Sequence, residues 1–113
     1  IDAGLITLAA VLSPFKSDRK IAQSLVEKDE FVEIFVDTSL SICEERDIKG
    51  LYKKARAGTI KNFTGIDSPY EKPELPSIHL KTESFTIDEC INIILEYLEQ
   101  HNYIKQDSSQ YNE

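Results

Sequence analysis

The run Leu5-Ile6-Thr7-Leu8-Ala9-Ala10-Val11-Leu12 is almost uninterruptedly apolar. A strand with one wet face alternates apolar and polar residues, whereas a continuous run suits a parallel strand covered on both faces. Ser13-Pro14 breaks the run, and Ser17-Asp18 then opens a helix with Ile21, Ala22, Leu25 and Val26 at helical spacing. Glu27 to Glu30 reads as a charged turn, and Phe31 to Val36 as a second strand with Asp37-Thr38-Ser39 at its carboxyl end. Leu40, Ile42 and Cys43 mark a helix ending near Asp47, and Ser77 to Lys81 reads as a short final strand. Thr86 with Glu89 forms a capping box, and Ile91, Ile94, Leu95 and Leu98 make the expected buried face of the last helix. Strand-helix repeated in this order predicts an α/β fold, a parallel sheet with flanking helices. Ligands of such sheets sit beyond the carboxyl ends of the strands. Leu12-Ser13-Pro14 and Asp37-Thr38 would therefore share one crevice.

At 113 residues the chain forms at most one domain. Its net charge of −7 argues against nucleic-acid binding and against attraction to anionic membranes. No apolar run approaches the roughly 20 residues that span a bilayer. Cys43 and Cys90 lie far apart, without C-x-x-C spacing and with His79 and His101 standing alone. They read as reduced thiols facing the core, no metal site is expected, and a cytoplasmic, reducing location is the default. The chain opens on Ile1 just ahead of a strand with no upstream partner, so it is expected to be a piece of a longer product. Residues 105–113 are polar and expected to be a disordered tail.

Within this acidic chain the charge reverses locally. Arg46, Lys49, Lys53, Lys54 and Arg56 crowd together, and Lys61-Asn62-Phe63-Thr64-Gly65-Ile66-Asp67-Ser68-Pro69-Tyr70-Glu71 follows. Between Asp47 and Pro76 only a short helix around Tyr52 to Ala57 is expected, and a loop this long in a compact domain usually serves function or motion. The cations suit a lid over a phosphorylated nucleotide, because phosphoryl transfer spreads negative charge that nearby cations stabilise. A solvated helix face is the plainer alternative. Ser13 is either a hydroxyl at a ligand edge or a turn residue ahead of Pro14. Phe63 either plugs the loop or offers a base a stacking platform. Asp18-Arg19 reads as a helix cap plus a surface salt bridge. Asp37 is a candidate organiser of Thr38 and the lid base.

The block from Arg46 to Glu71 resembles the lid and substrate loop of adenosine 5'-phosphosulfate (APS) kinases. The resemblance extends from Asp2-Ala3-Gly4-Leu5 through Leu12-Ser13-Pro14-Phe15, Asp18-Arg19 and Phe35-Val36-Asp37-Thr38 to Pro73-Glu74 and the closing strand and helix. It implies the carboxyl-terminal part (residues 1–104) of a P-loop nucleoside-triphosphate hydrolase/kinase fold. The implied reaction moves the ATP γ-phosphate to the 3'-hydroxyl of APS, giving PAPS, with Mg²⁺ on the ATP phosphates. Carried over residue by residue, the resemblance makes Leu12, Ser13, Lys49, Asn62, Phe63 and Thr64 APS contacts. Ser13, Lys49 and Arg46 become candidates for catalysis, with Arg46 on the ATP side, and Phe85 and Cys90 lie beside the ATP adenine. It further implies a homodimer and a possible fused or associated ATP sulfurylase. The family has Arg where this chain has Lys16, which keeps charge but loses a bidentate fork. The family's phosphate cradle, G-x-x-x-x-G-K-[ST], does not occur in these 113 residues. The chain alone is therefore expected to be inactive as a kinase, with a non-catalytic APS/PAPS-binding module or an assembly fragment as the alternatives.

Overall fold

The computed structural model describes residues 5–105. The expected tail and the Asp2-Ala3-Gly4 part of the resemblance lie almost wholly outside them. The elements run α1 (Lys16–Ser24), a 3₁₀ turn (Lys28–Glu30), β1 (Ile34–Asp37), α2 (Leu40–Glu45), α3 (Leu51–Arg56), β2 (Ile78–Lys81) and α4 (Ile87–Gln100). β1 and β2 pair in parallel, with Ile34 opposite Ile78 and Asp37 opposite Lys81. Parallel neighbours need a long crossover, and here it carries α2, α3 and the irregular segment that follows them.

The two strands divide their side chains by alternation. Ile78 and Leu80 are buried while His79 and Lys81 are exposed, and α4 is the helix packed on β2. On the other face Phe35 is buried between Tyr70 and His79, with ring centroids 6.2 and 5.0 Å away. Ala55 of α3 is the remaining buried apolar residue among those described. The capping box of α4 forms in both directions: the Thr86 hydroxyl accepts from the Glu89 N–H (3.1 Å), and the Glu89 carboxylate accepts from the Thr86 N–H (3.0 Å). Those bonds hold the Glu89 carboxyl below its ordinary value, the backbone one most strongly.

Four expectations need correction. Residues 5–12 form no strand, because none of the described backbone hydrogen bonds joins them to β1 and a strand exists only through its ladder. Leu8 stands 84% exposed and Val11 76%. The apolar stripe of α1 is likewise uncovered at Ile21 and Leu25. On α4, Ile94 and Leu98 are half-buried while Ile91 and Leu95 stay exposed, since a sheet of two strands shields little of the helix. The second strand also starts later than expected, at Ile34, where its pairing with β2 begins.

Candidate functional site

A crevice of about 960 Å³ opens beyond the carboxyl ends of β1 and β2. Its floor is Asp37-Thr38-Ser39 on one side and Lys81, Glu83 and Ser84 on the other; Cys43 of α2 and Tyr52 of α3 form a wall, and Thr64 to Tyr70 a rim. Leu12 reaches it from the segment before α1.

The floor is cross-braced. The Thr82 N–H donates to the Asp37 carbonyl (3.1 Å), the Thr38 and Thr82 hydroxyls bond each other, and the Ser39 N–H donates to the Glu83 carboxylate (2.6 Å). Bonding to the Ser39 hydroxyl and N–H holds the Glu83 carboxyl below its ordinary value. The Ser39 hydroxyl also caps α2 by accepting from the Ile42 N–H. Asp37 pairs with His79 at 2.8 Å, across the strands on one face. His79 is thus a partly exposed partner of the floor carboxylate, which nothing in its sequence context signals.

Carboxylates tie down the lid and rim. Asp47 accepts from the N–H groups of Tyr52 and Lys53, both at 3.1 Å, and so holds the start of α3. Gly50, at φ +67°, supplies the left-handed residue that lets the chain turn back between them. Asp67 accepts from the N–H groups of Asn62 (2.7 Å) and Phe63 (2.5 Å). The Phe63 carbonyl in turn accepts from Ile66, Asp67 and Ser68. This knot stabilises Asn62 at φ +57°, a conformation Asn tolerates better than most side chains. Phe63 meets Tyr52 edge to face, with centroids 4.9 Å apart. Burial pushes the Tyr52 phenol up, and hydrogen bonding to Cys43 adds to the shift.

Of the sequence-predicted site residues, Leu12 and Thr64 line the crevice. Asn62 and Phe63 lie directly behind Thr64, and Phe63 is half-buried against the lid helix. Ser13, beside Leu12, sits at φ +39°, a costly value for a residue with a Cβ. Arg46, just past α2, reaches the Thr82 hydroxyl at 3.5 Å, and Lys49 is exposed in the following turn. Phe85 and Cys90 stand apart from the crevice, at the start of α4, partly exposed and half-buried respectively. Cys43 and Cys90 are both free and half-buried. Lys16 pairs with Glu74 at 2.9 Å. Sequence reasoning missed Asp47, Asp67 and Glu71. For Asp67, an acid shortly after Asn62 and beside Gly65 was the available signal, since such acids close turns through backbone N–H groups. Glu71 carried no comparable local signal.

The description "Adenylylsulphate kinase" belongs to the family model that matches residues 1–81. The chain belongs to the adenylylsulphate kinase family. It is 55% identical over 104 residues to an adenylyl-sulfate kinase of Marinobacter nauticus, covering 92% of this chain and 52% of the relative. An adenylyl-sulfate kinase of Clostridium acetobutylicum is 54% identical over 103 residues, covering 91% and 51%. Among solved structures, the Mycobacterium tuberculosis APS kinase CysC in complex with AMPPNP and APS superposes with a TM-score of 0.73 at 44% identity, covering 79% of this chain and 52% of that one. This likeness places the chain in the P-loop kinase fold, consistent with its parallel sheet and flanking helices. The chain spans about half the length of the curated relatives it matches.

Proposed function

We propose that this chain supplies the APS side and the lid of an adenylyl-sulfate kinase, which transfers the ATP γ-phosphate to the 3'-hydroxyl of APS to give PAPS in sulfate assimilation. The observation that carries this reading is the crevice itself: the turn at Leu12, the strand ends and the rim of the cationic lid all border one opening. A relative whose solved complex holds AMPPNP and APS shares this fold over 79% of the chain.

In this reading Leu12, Ser13 and the Asn62-Phe63-Thr64 rim hold APS, with Phe63 against one face of its adenine. Lys49 meets the substrate's anionic groups. Arg46 lies on the ATP side and stabilises charge that develops on the transferred phosphoryl group. Phe85 and Cys90 border the ATP adenine. Closure of the 46–71 lid excludes water, so that the APS hydroxyl and not water attacks the γ-phosphate. Among the described residues no cluster of three or more His, Cys, Asp or Glu could hold an ion. Mg²⁺ would be held mainly by the ATP phosphates, for which such a cluster is not needed, and no step here runs through it. The motif of the phosphate cradle does not occur in these 113 residues. The reading extends to a cytoplasmic enzyme that works as a homodimer and is fused to or associated with an ATP sulfurylase.

Calorimetric titration of APS into the chain tests the reading, with a PAPS-forming assay beside it. Saturable APS binding without PAPS formation is expected; a chain that ignores APS would remove its basis. A second reading, an assembly fragment that binds no nucleotide, is favoured by the exposed apolar run of residues 5–12. It predicts self-association without APS binding.

A further inference from the structure

Arg19 occupies a position its sequence context does not suggest. Its side chain is only 14% exposed, and the guanidinium faces a different group in each direction. Nη1 donates to the Ser13 carbonyl at 2.7 Å, and Nη2 donates to the Glu71 carbonyl. Nε lies 3.7 Å from the Glu33 carboxylate, and the guanidinium carbon sits 5.8 Å from the centre of the Tyr70 ring. Two further bonds run beside it: the Glu71 N–H donates to the Pro14 carbonyl and the Lys16 N–H to the Glu71 carboxylate, both at 2.8 Å. Segments more than fifty residues apart in sequence are thereby joined, and each leads straight into the crevice, one through Leu12 and the other through Tyr70.

We propose that Arg19 is a positioning residue that sets the Ser13 turn and the Tyr70-Glu71 end of the rim as one rigid unit. The proposal rests on the reading of the crevice as the APS site. Ser13 at φ +39° is a conformation that surrounding structure must impose. A charged donor on the Ser13 carbonyl does this, and the same planar fork fixes the distance to the opposite segment. Lysine cannot replace it, because one ammonium offers a point charge where two carbonyls, a carboxylate and a ring face must be met together. Arg19 touches no reacting atom in this scheme; it acts through Leu12, Ser13 and Tyr70.

The test compares R19A and R19K with the parent chain by amide hydrogen exchange and by APS titration. In R19A the Glu71 N–H should exchange at least about tenfold faster, and APS affinity should fall about tenfold or more, the scale of one lost charged hydrogen bond. R19K should keep its far-UV circular dichroism yet lose APS affinity several-fold. Millimolar guanidinium should restore affinity to R19A and leave the parent unchanged, which a purely structural loss would not show. Parent-like exchange at Glu71 and parent-like affinity in R19K would overturn the proposal, and R19K decides if R19A fails to fold. Should the parent itself not bind APS, the nucleotide reading falls, while the exchange measurement still decides whether Arg19 joins the two segments.

Discussion

The rim from Asn62 to Glu71 and the segment from Leu5 to Leu12 invert the usual expectation of order. The rim is polar, carries Gly65 and Pro69, and has no helix, yet its N–H groups are met by the Asp67 carboxylate and the Phe63 carbonyl. The apolar segment has the stronger strand composition, yet none of the described backbone bonds engages it and its large side chains face outward. Local order follows from where a segment's N–H and C=O groups find partners, and apolar composition substitutes for that only where a neighbour is present.

Removing the partner should break the ordered side of this contrast. D67A leaves two N–H groups of the rim without their acceptor and should cost about 1–2 kcal/mol in urea unfolding, with APS affinity falling alongside; an unchanged midpoint would show the rim held by other contacts. The Tyr52–Phe63 contact should follow. A double-mutant cycle of Y52A and F63A should give a coupling of about 0.5–1.5 kcal/mol, and a coupling of zero would mean the loop docks on the lid without that pair.

Acid should act next and more gently. Glu83 and Glu89 both have folded values lowered by hydrogen bonds from Ser39 and Thr86. Their contribution is therefore fully present above the ordinary carboxylate value of about 4.3 and is lost as pH falls through the lowered folded values. Urea midpoints should decline below that pH, and E89Q should flatten the decline; an unaltered slope in E89Q would remove the capping box as its cause. The smallest effect is expected on the unpaired side. L8K, at a residue 84% exposed, should move stability by no more than about 0.5 kcal/mol while lowering self-association in sedimentation. A large destabilisation by L8K would show residues 5–12 packed in solution and erase the contrast.

What sequence made legible was local. The capping box needs only Thr86 and Glu89, three residues apart, and it formed as read. The α3 helix and the parallel pairing of the second and last strands followed from short patterns in the same way. The first strand did not form, because its signal describes a face that must be covered and not what covers it. At the site, Leu12 shares one crevice with Asp37 and Thr38 as expected, although no strand leads to it, and Thr64, which only the resemblance singled out, lines the same crevice. Phe63, read as plug or platform, packs on Tyr52. Arg19, expected in a surface salt bridge, does pair with Glu33 but is largely buried, and its further partners, the carbonyls of Ser13 and Glu71, carry no side-chain signature. Backbone acceptors are present at every residue, so only the fold selects which ones an arginine meets.

The first N–H of α1 finds its acceptor in Glu71, fifty-five positions further along the chain. Phe15, at the formal cap, offers no side-chain acceptor of its own. A helix of nine residues is too short to persist alone in water. Its appearance should then wait on the arrival of the rim, so that a segment earlier in the chain settles no sooner than one that follows it by fifty-five residues. Pulse-labelling during refolding should find the amides of residues 16–24 protected no sooner than that of Glu71, and earlier protection would show that α1 assembles without its distant cap.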